Sequence, residues 1–256
     1  MGEHRYSTDE DEDGKEVEKP TAAHFRLFDL PFELRLRVYE YCLVLPTIVD
    51  LDTANSRVIA PLLRLFLVNR RTHEETYRVF YGRNTFRVFP VHGRFFHTKA
   101  PLLGRLPPRY RAVITKLDLR LGPGWTAPPR CWVVNENLGL ADMLKVRLLK
   151  IYVECDPSSH PTFEGYGKGM HWYTEFSVEL TRNLIIAMPS VIEIEFDGHP
   201  GIKRSSPLLQ ALLDEVKAHN KCVLWGPERR WDKVKEIDMA NIQTMMQKLG
   251  LDRRNG

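Results

Sequence analysis

The first strongly patterned stretch is "FRLFDLPFELRLRVYEYCLVLP". In it Leu34, Val38, Tyr41 and Leu45 recur at helical spacing, and Leu36, Tyr39 and Leu43 form a second stripe. The first stripe is expected to enter the core. Asp29 stands just before Leu30-Pro31 and is expected to accept hydrogen bonds from the first turn, where proline is also well placed. Pro46 ends the pattern. Pro61 then opens a long helical run, "PLLRLFLVNRRTHEETYRVFYG", with Leu63, Leu67, Tyr77 and Phe80 or Tyr81 near one face. Arg70, Glu74 and Arg78 can form ion pairs along another face, and Gly82 is a natural stop. A short strand, "NTFRVF", follows.

Beyond residue 107 the period changes. "ITKLDLRL" (114–121), "RLLKIYVEC" (147–155), "VIEIEFDG" (191–198) and "CVLW" (222–225) have strand lengths and strand patterning. Helical runs lie between them. Phe176, Leu180, Leu184 and Met188 recur every four residues and stop before Pro189. Ser206 and Pro207 form a helix start, Leu208, Leu209, Leu212, Leu213 and Val216 its apolar face, and Asn220 its end. Strands recurring every roughly 30 to 45 residues, with helices between, favour parallel pairing. A last helical pattern places Met239, Ile242, Met246 and Leu249 at heptad-like spacing.

Charge divides the chain further. Residues 1–20 hold eight acidic residues against three basic ones, a net −5, so the remaining residues carry +9 of the overall +4. The run Asp9 to Asp13 has no apolar surface to bury, and residues 1–22 are expected to be disordered. Such a run can be a solubilising tail or an intramolecular shield for the basic body. The expected organisation is a tail over 1–22, a helical unit over 23–90, an α/β body over 91–226 and a C-terminal helix within 227–256. The longest apolar stretches are broken by arginine, so no membrane span is expected. The N-terminus has no secretory pattern. Cys42, Cys131, Cys155 and Cys222 are far apart, which argues for free thiols and a cytoplasmic or nuclear location.

Candidate chemistry is sparse. "EGYGKGMHW", with Lys168, has neither phosphate-loop spacing. Cys155, Asp156, His160, His171 and Glu175, or His92 and His97, lack a recognised metal-ligand spacing. No GxSxG elbow is present. Glu193 and Glu195 share a strand face without an identifiable partner acid or base. No catalytic, cofactor or metal residue is assigned, and no enzyme activity is expected. Arginines between Arg57 and Arg120, interleaved with aromatics, leave nucleic-acid association as the alternative reading.

Leu30-Pro31, Glu33, Leu34, Val38 and Tyr41, followed by "LLRLFLVNRRTHEETYRVFYGRNTFRV", resemble the F-box-like domain of uncharacterised fungal proteins. The match covers roughly residues 25–90 and keeps several spaced elements in order, ending in Phe80 to Phe86. With the strand–helix alternation, read as a small α/β sheet or an irregular leucine-rich-repeat-like half-solenoid, the expected fold is of class α+β: an F-box-like helical unit packed on an irregular α/β, leucine-rich-repeat-like sheet, with a C-terminal helix. The resemblance carries a functional expectation as well. It implies a non-catalytic substrate-recruiting subunit of a ubiquitin ligase. Leu30, Pro31, Leu34 and Val38 match the positions that contact a Skp-type adaptor of a cullin-RING ligase, and the α/β part would receive a protein substrate.

Overall fold

Pro31, with φ −52° and ψ 150°, sets the chain for helix α1, Phe32–Leu43. Glu33 lies in its first turn, where a carboxylate complements the helix dipole. Asp29 does not cap it. It belongs to a single 3-10 turn, Leu27–Asp29, one step too early to reach the free N–H groups. The computed structural model describes residues 25–51, 55–91, 101–122, 129–157 and 172–233. The acidic run, the glycine-rich loop with Lys168, His92, His97, His160, His171 and the C-terminal heptad pattern lie outside those residues.

The long helical run after Pro61 is two helices. Helix α2, Ser56–Leu63, contains Pro61 and continues into a 3-10 turn, Arg64–Leu67. Helix α3, Arg70–Arg83, starts afresh because the Asn69 side chain accepts from the Thr72 N–H at 2.8 Å. Leu67 is consequently exposed rather than on a core face. Gly82 sits inside the last turn, and Asn84 ends the helix. Asn84 is buried, donates to the Leu43 and Phe80 carbonyls at 2.9 Å, and accepts from the Leu45 N–H at 2.8 Å. One side chain therefore ties together the C-terminal ends of α1 and α3.

Five strands follow: β1 Thr85–Arg87, β2 Lys116–Leu121, β3 Leu148–Val153, β4 Glu193–Gly198 and β5 Cys222–Trp225. All pair in parallel, in chain order β1-β2-β3-β4-β5. Val49 adds a one-residue parallel bridge beyond β1, at Phe86. The crossovers carry α4, Leu102–Arg105, and α5, Pro108–Arg111, between β1 and β2, then α6, Trp172–Ala187, and α7, Pro207–Ala218, before β4 and β5. Between β2 and β3 run two 3-10 turns hinged at Gly139, whose φ of 64° favours glycine. A Cβ there would also collide with the Arg111 side chain, which passes the turn to reach Asp142 at 2.9 Å.

Register lines up apolar rows on one sheet face. Phe86, Leu117, Leu149 and Ile194 form one, and Leu119, Ile151 and Phe196 another; all are fully buried. They join Leu180 and Leu184 of α6 and Leu209 and Leu212 of α7 in one continuous core. Ser206 caps α7 as expected, accepting from Leu209 at 3.4 Å, and Asn220 turns the chain with φ 53°. The other face is polar. Arg87, Asp118, Lys150 and Glu195 stand in register across four strands. Arg87 bonds Asp118 at 2.9 Å, and Lys150 bonds Glu195 at 2.8 Å.

Candidate docking surface

Helix α1 has two apolar sides, and a buried ion pair decides which one faces inward. Arg35, almost wholly buried, donates twice to the Glu75 carboxylate of α3, at 2.8 and 3.0 Å. The Tyr39 hydroxyl donates to the same carboxylate at 3.0 Å, and Arg71 reaches it at 3.3 Å. Arg35 also donates to the Leu30 carbonyl at 2.5 Å, which fixes the turn into the helix. A bidentate arginine–carboxylate pair of this kind sets orientation as well as holding charge. The hydrogen bond from Arg35, followed by those from Tyr39 and Arg71, keeps the Glu75 carboxyl below its ordinary range. Burial first, and then the bond to Glu75, pushes the Tyr39 phenol up.

This clamp turns Arg35, Tyr39 and Leu43 into the core. The expected core stripe of Leu34, Val38 and Tyr41 is corrected: it faces out. Leu34 is 52% exposed, Val38 39% and Tyr41 90%. The stripe of Leu36, Tyr39 and Leu43 is the one that packs inward, with Leu36 partly buried. Pro31 is exposed at the helix entrance, and Leu30 is half-buried beside it. Leu34, Val38 and Tyr41 thus stand one turn apart on the solvent side of a helix fastened from behind. Phe32, half-exposed, turns toward α3, where it joins Leu36 and Val79 in a groove of about 250 Å³ rimmed by Arg78 and Arg83.

Of the remaining sequence candidates, Asp156 and Glu195 have polar partners. Asp156 is buried and accepts from the Leu208 N–H at the start of α7, at 3.3 Å. Cys155 is half-buried, and burial raises its thiol above the usual range. Glu193 and Glu195 lie on the polar sheet face. There Arg120 stacks over Tyr152, whose hydroxyl donates to Glu228 at 3.1 Å and is pushed up to about 12, chiefly by burial. Among the described residues no three His, Cys, Asp or Glu side chains converge as a metal site requires. Also among them, no helix is long and apolar enough to cross a membrane.

Sequence reasoning missed Glu75, Tyr39 and Arg35 as the group that orients α1, and Asn84 as its second fastening. Arg35 and Glu75 are 40 positions apart, and neither carries a local signal of burial. Compared with protein-family models, with curated proteins and with solved structures, the chain matches none.

Proposed function

We propose that this chain is a non-catalytic protein-interaction module, resembling an F-box substrate-recruiting subunit, that docks a Skp-type adaptor through the outward side of α1. The observation that carries the reading is the exposed row Leu34, Val38 and Tyr41 on a helix whose opposite side is clamped by Glu75. Turned away from the buried side of the helix, that row has the apolar composition of an interface centre. Pro31 and Leu30 extend it at the helix entrance. The sequential parallel order of the sheet fits an irregular leucine-rich-repeat-like body, and its polar face is the surface assigned to a protein substrate.

The test uses purified protein and a purified Skp-type adaptor. Leu34→Ala with Val38→Ala removes side chains that are already half in water, so each change should cost about 1 kcal/mol or less in stability. Hot-spot residues near an interface centre cost about 2 kcal/mol or more on truncation, and placing one at Leu34 or Val38 predicts that adaptor affinity falls by at least about thirtyfold. Pro31→Ala should weaken binding while changing stability by less than about 1 kcal/mol. Absence of adaptor binding by the unaltered chain, or equal binding by the double variant, would refute the reading.

A further inference from the structure

The outward face of α3 is basic and only loosely neutralised. Helical spacing brings Arg70, Arg71, Glu74 and Arg78 to one side. Arg109 joins them from α5, stacked on the Tyr77 ring. The Arg71, Arg78 and Arg109 side chains are each more than half exposed. Two carboxylates serve them: Glu75 takes Arg71 at 3.3 Å but is shared with Arg35, and Glu74 makes only long contacts, 4.0 Å to Arg78 and 3.8 Å to Arg109. Arg70 has no carboxylate within ion-pair distance among the described residues.

An acidic segment of the same chain lies within reach of this face. The Phe28 ring lies 4.7 Å under the Arg71 guanidinium, so the chain reaches Phe25 to Asp29 directly beside this face. Upstream stands "DEDED", Asp9 to Asp13. The linker from Asp13 to Phe25 can extend about 40 Å at the usual 3.3–3.6 Å per residue. Helix α3 is only about 21 Å long at 1.5 Å per residue. Tethering by so short a segment gives an effective concentration on the order of millimolar, enough for a weak electrostatic contact to be occupied.

We propose that Arg70, Arg71, Arg78 and Arg109 form a docking surface for an acidic peptide segment, and that its resident occupant is the run Asp9 to Asp13 of the same chain. The run supplies five carboxylates to four guanidinium groups, a pairing that arginine makes in bidentate fashion. The contact screens the most basic face of the helical unit from other polyanions. It is independent of adaptor docking, because it uses α3 and leaves Leu34, Val38 and Tyr41 untouched.

The experiment uses the full chain and a fluorescent synthetic peptide of residues 1–20. The peptide is titrated at low salt against the unaltered chain and against a full-length variant carrying Asp9→Asn, Glu10→Gln, Asp11→Asn, Glu12→Gln and Asp13→Asn. The neutralised variant should bind the peptide at least about tenfold more tightly, because its own run no longer competes. Adding Arg70→Glu and Arg78→Glu to that variant replaces two attractions with repulsions. Each exposed pair is worth a factor of roughly 1.4 to 5, and reversal both removes an attraction and adds a repulsion, so affinity should fall at least about fourfold, and salt should abolish it. Both arginines are at the surface, and an unchanged circular dichroism melt establishes that the variant is folded. Equal peptide binding by the unaltered and neutralised chains, or binding indifferent to Arg70 and Arg78, overturns the proposal. So does arginine-dependent binding of a DNA duplex where the peptide does not bind, since the face would then be a phosphate surface.

Discussion

Replacing Asn84, itself buried, with alanine removes three hydrogen bonds, two of them buried and one at its half-buried margin. The Leu45 N–H loses its acceptor just after α1, and the Leu43 and Phe80 carbonyls lose their donor. An unsatisfied buried group costs about 1–3 kcal/mol, with carbonyls more tolerant than N–H groups. A total of about 2–4 kcal/mol follows, allowing for relaxation of the carbonyls. For a chain of this size each kcal/mol lowers Tm by about 2–4 °C. Urea denaturation followed by far-ultraviolet circular dichroism would measure the loss. Asn84→Asp is the sharper perturbation. It keeps an acceptor for Leu45 but turns a carboxylate oxygen toward two carbonyls, so at neutral pH it should be at least as damaging as alanine. Acidification should narrow the gap, because a protonated carboxyl regains one donor. The reasoning fails if the alanine variant stays within about 0.5 kcal/mol of the unaltered chain, or if the aspartate variant is less destabilised than the alanine variant at neutral pH.

Leu43→Ala, in contrast to changes on the outward row of α1, should cost about 2–5 kcal/mol in the same denaturation assay, since Leu43 is fully buried. Glu75 gives a pH signature. Its carboxyl lies below the ordinary 4.5 in the folded chain, so its contribution is present above that value and is lost as pH falls through the lower, folded value. Acid titration of stability should show a drop in that window which Glu75→Gln removes. Ser206→Ala should lower stability by about 0.5–2 kcal/mol through the lost cap on α7, read as a shift in the denaturation midpoint. Gly226→Ala should be destabilising, with reduced Tm, because the new Cβ would lie 2.3–2.5 Å from atoms of the Asp197 side chain. That carboxylate accepts from the Glu228 and Arg229 N–H groups at 3.0 and 2.8 Å.

The strands were legible because each carries its own signal. "KLDLRL" and "EIEFDG" alternate apolar and polar residues over strand length, and Cys222–Trp225 was bounded to the residue. Ser206-Pro207 likewise announced α7 by local chemistry. Helix α1 was different. Its apolar residues occupy both sides, so periodicity could locate the helix but not choose its inward face. That choice belongs to Arg35 and Tyr39 meeting a carboxylate on another helix. The break before α3 did leave a trace, since Asn69 ahead of a polar helical run is a start signal. It was overridden by the apolar pattern running through Leu65, Phe66 and Leu67. The four residues matching the docking pattern were chosen only by resemblance; nothing in their spacing separates a contact surface from a core.

The two margins of the sheet are finished differently. On the β1 side, Val49 exchanges backbone hydrogen bonds with Thr85 and Arg87 and closes part of the edge. On the far side, β5 has only β4 as a strand neighbour among the described residues. Because strands are added in chain order, each leans only on the ones beside it, and cohesion passes along the row rather than across it. Among the described residues Trp231 packs edge-on against Trp225 but no strand follows β5, so amide exchange should slow progressively from β5 toward β2. Length is then an adjustable property. A further strand–helix step could be appended or removed at that margin without disturbing the helical end, which lets the same head carry bodies of different reach.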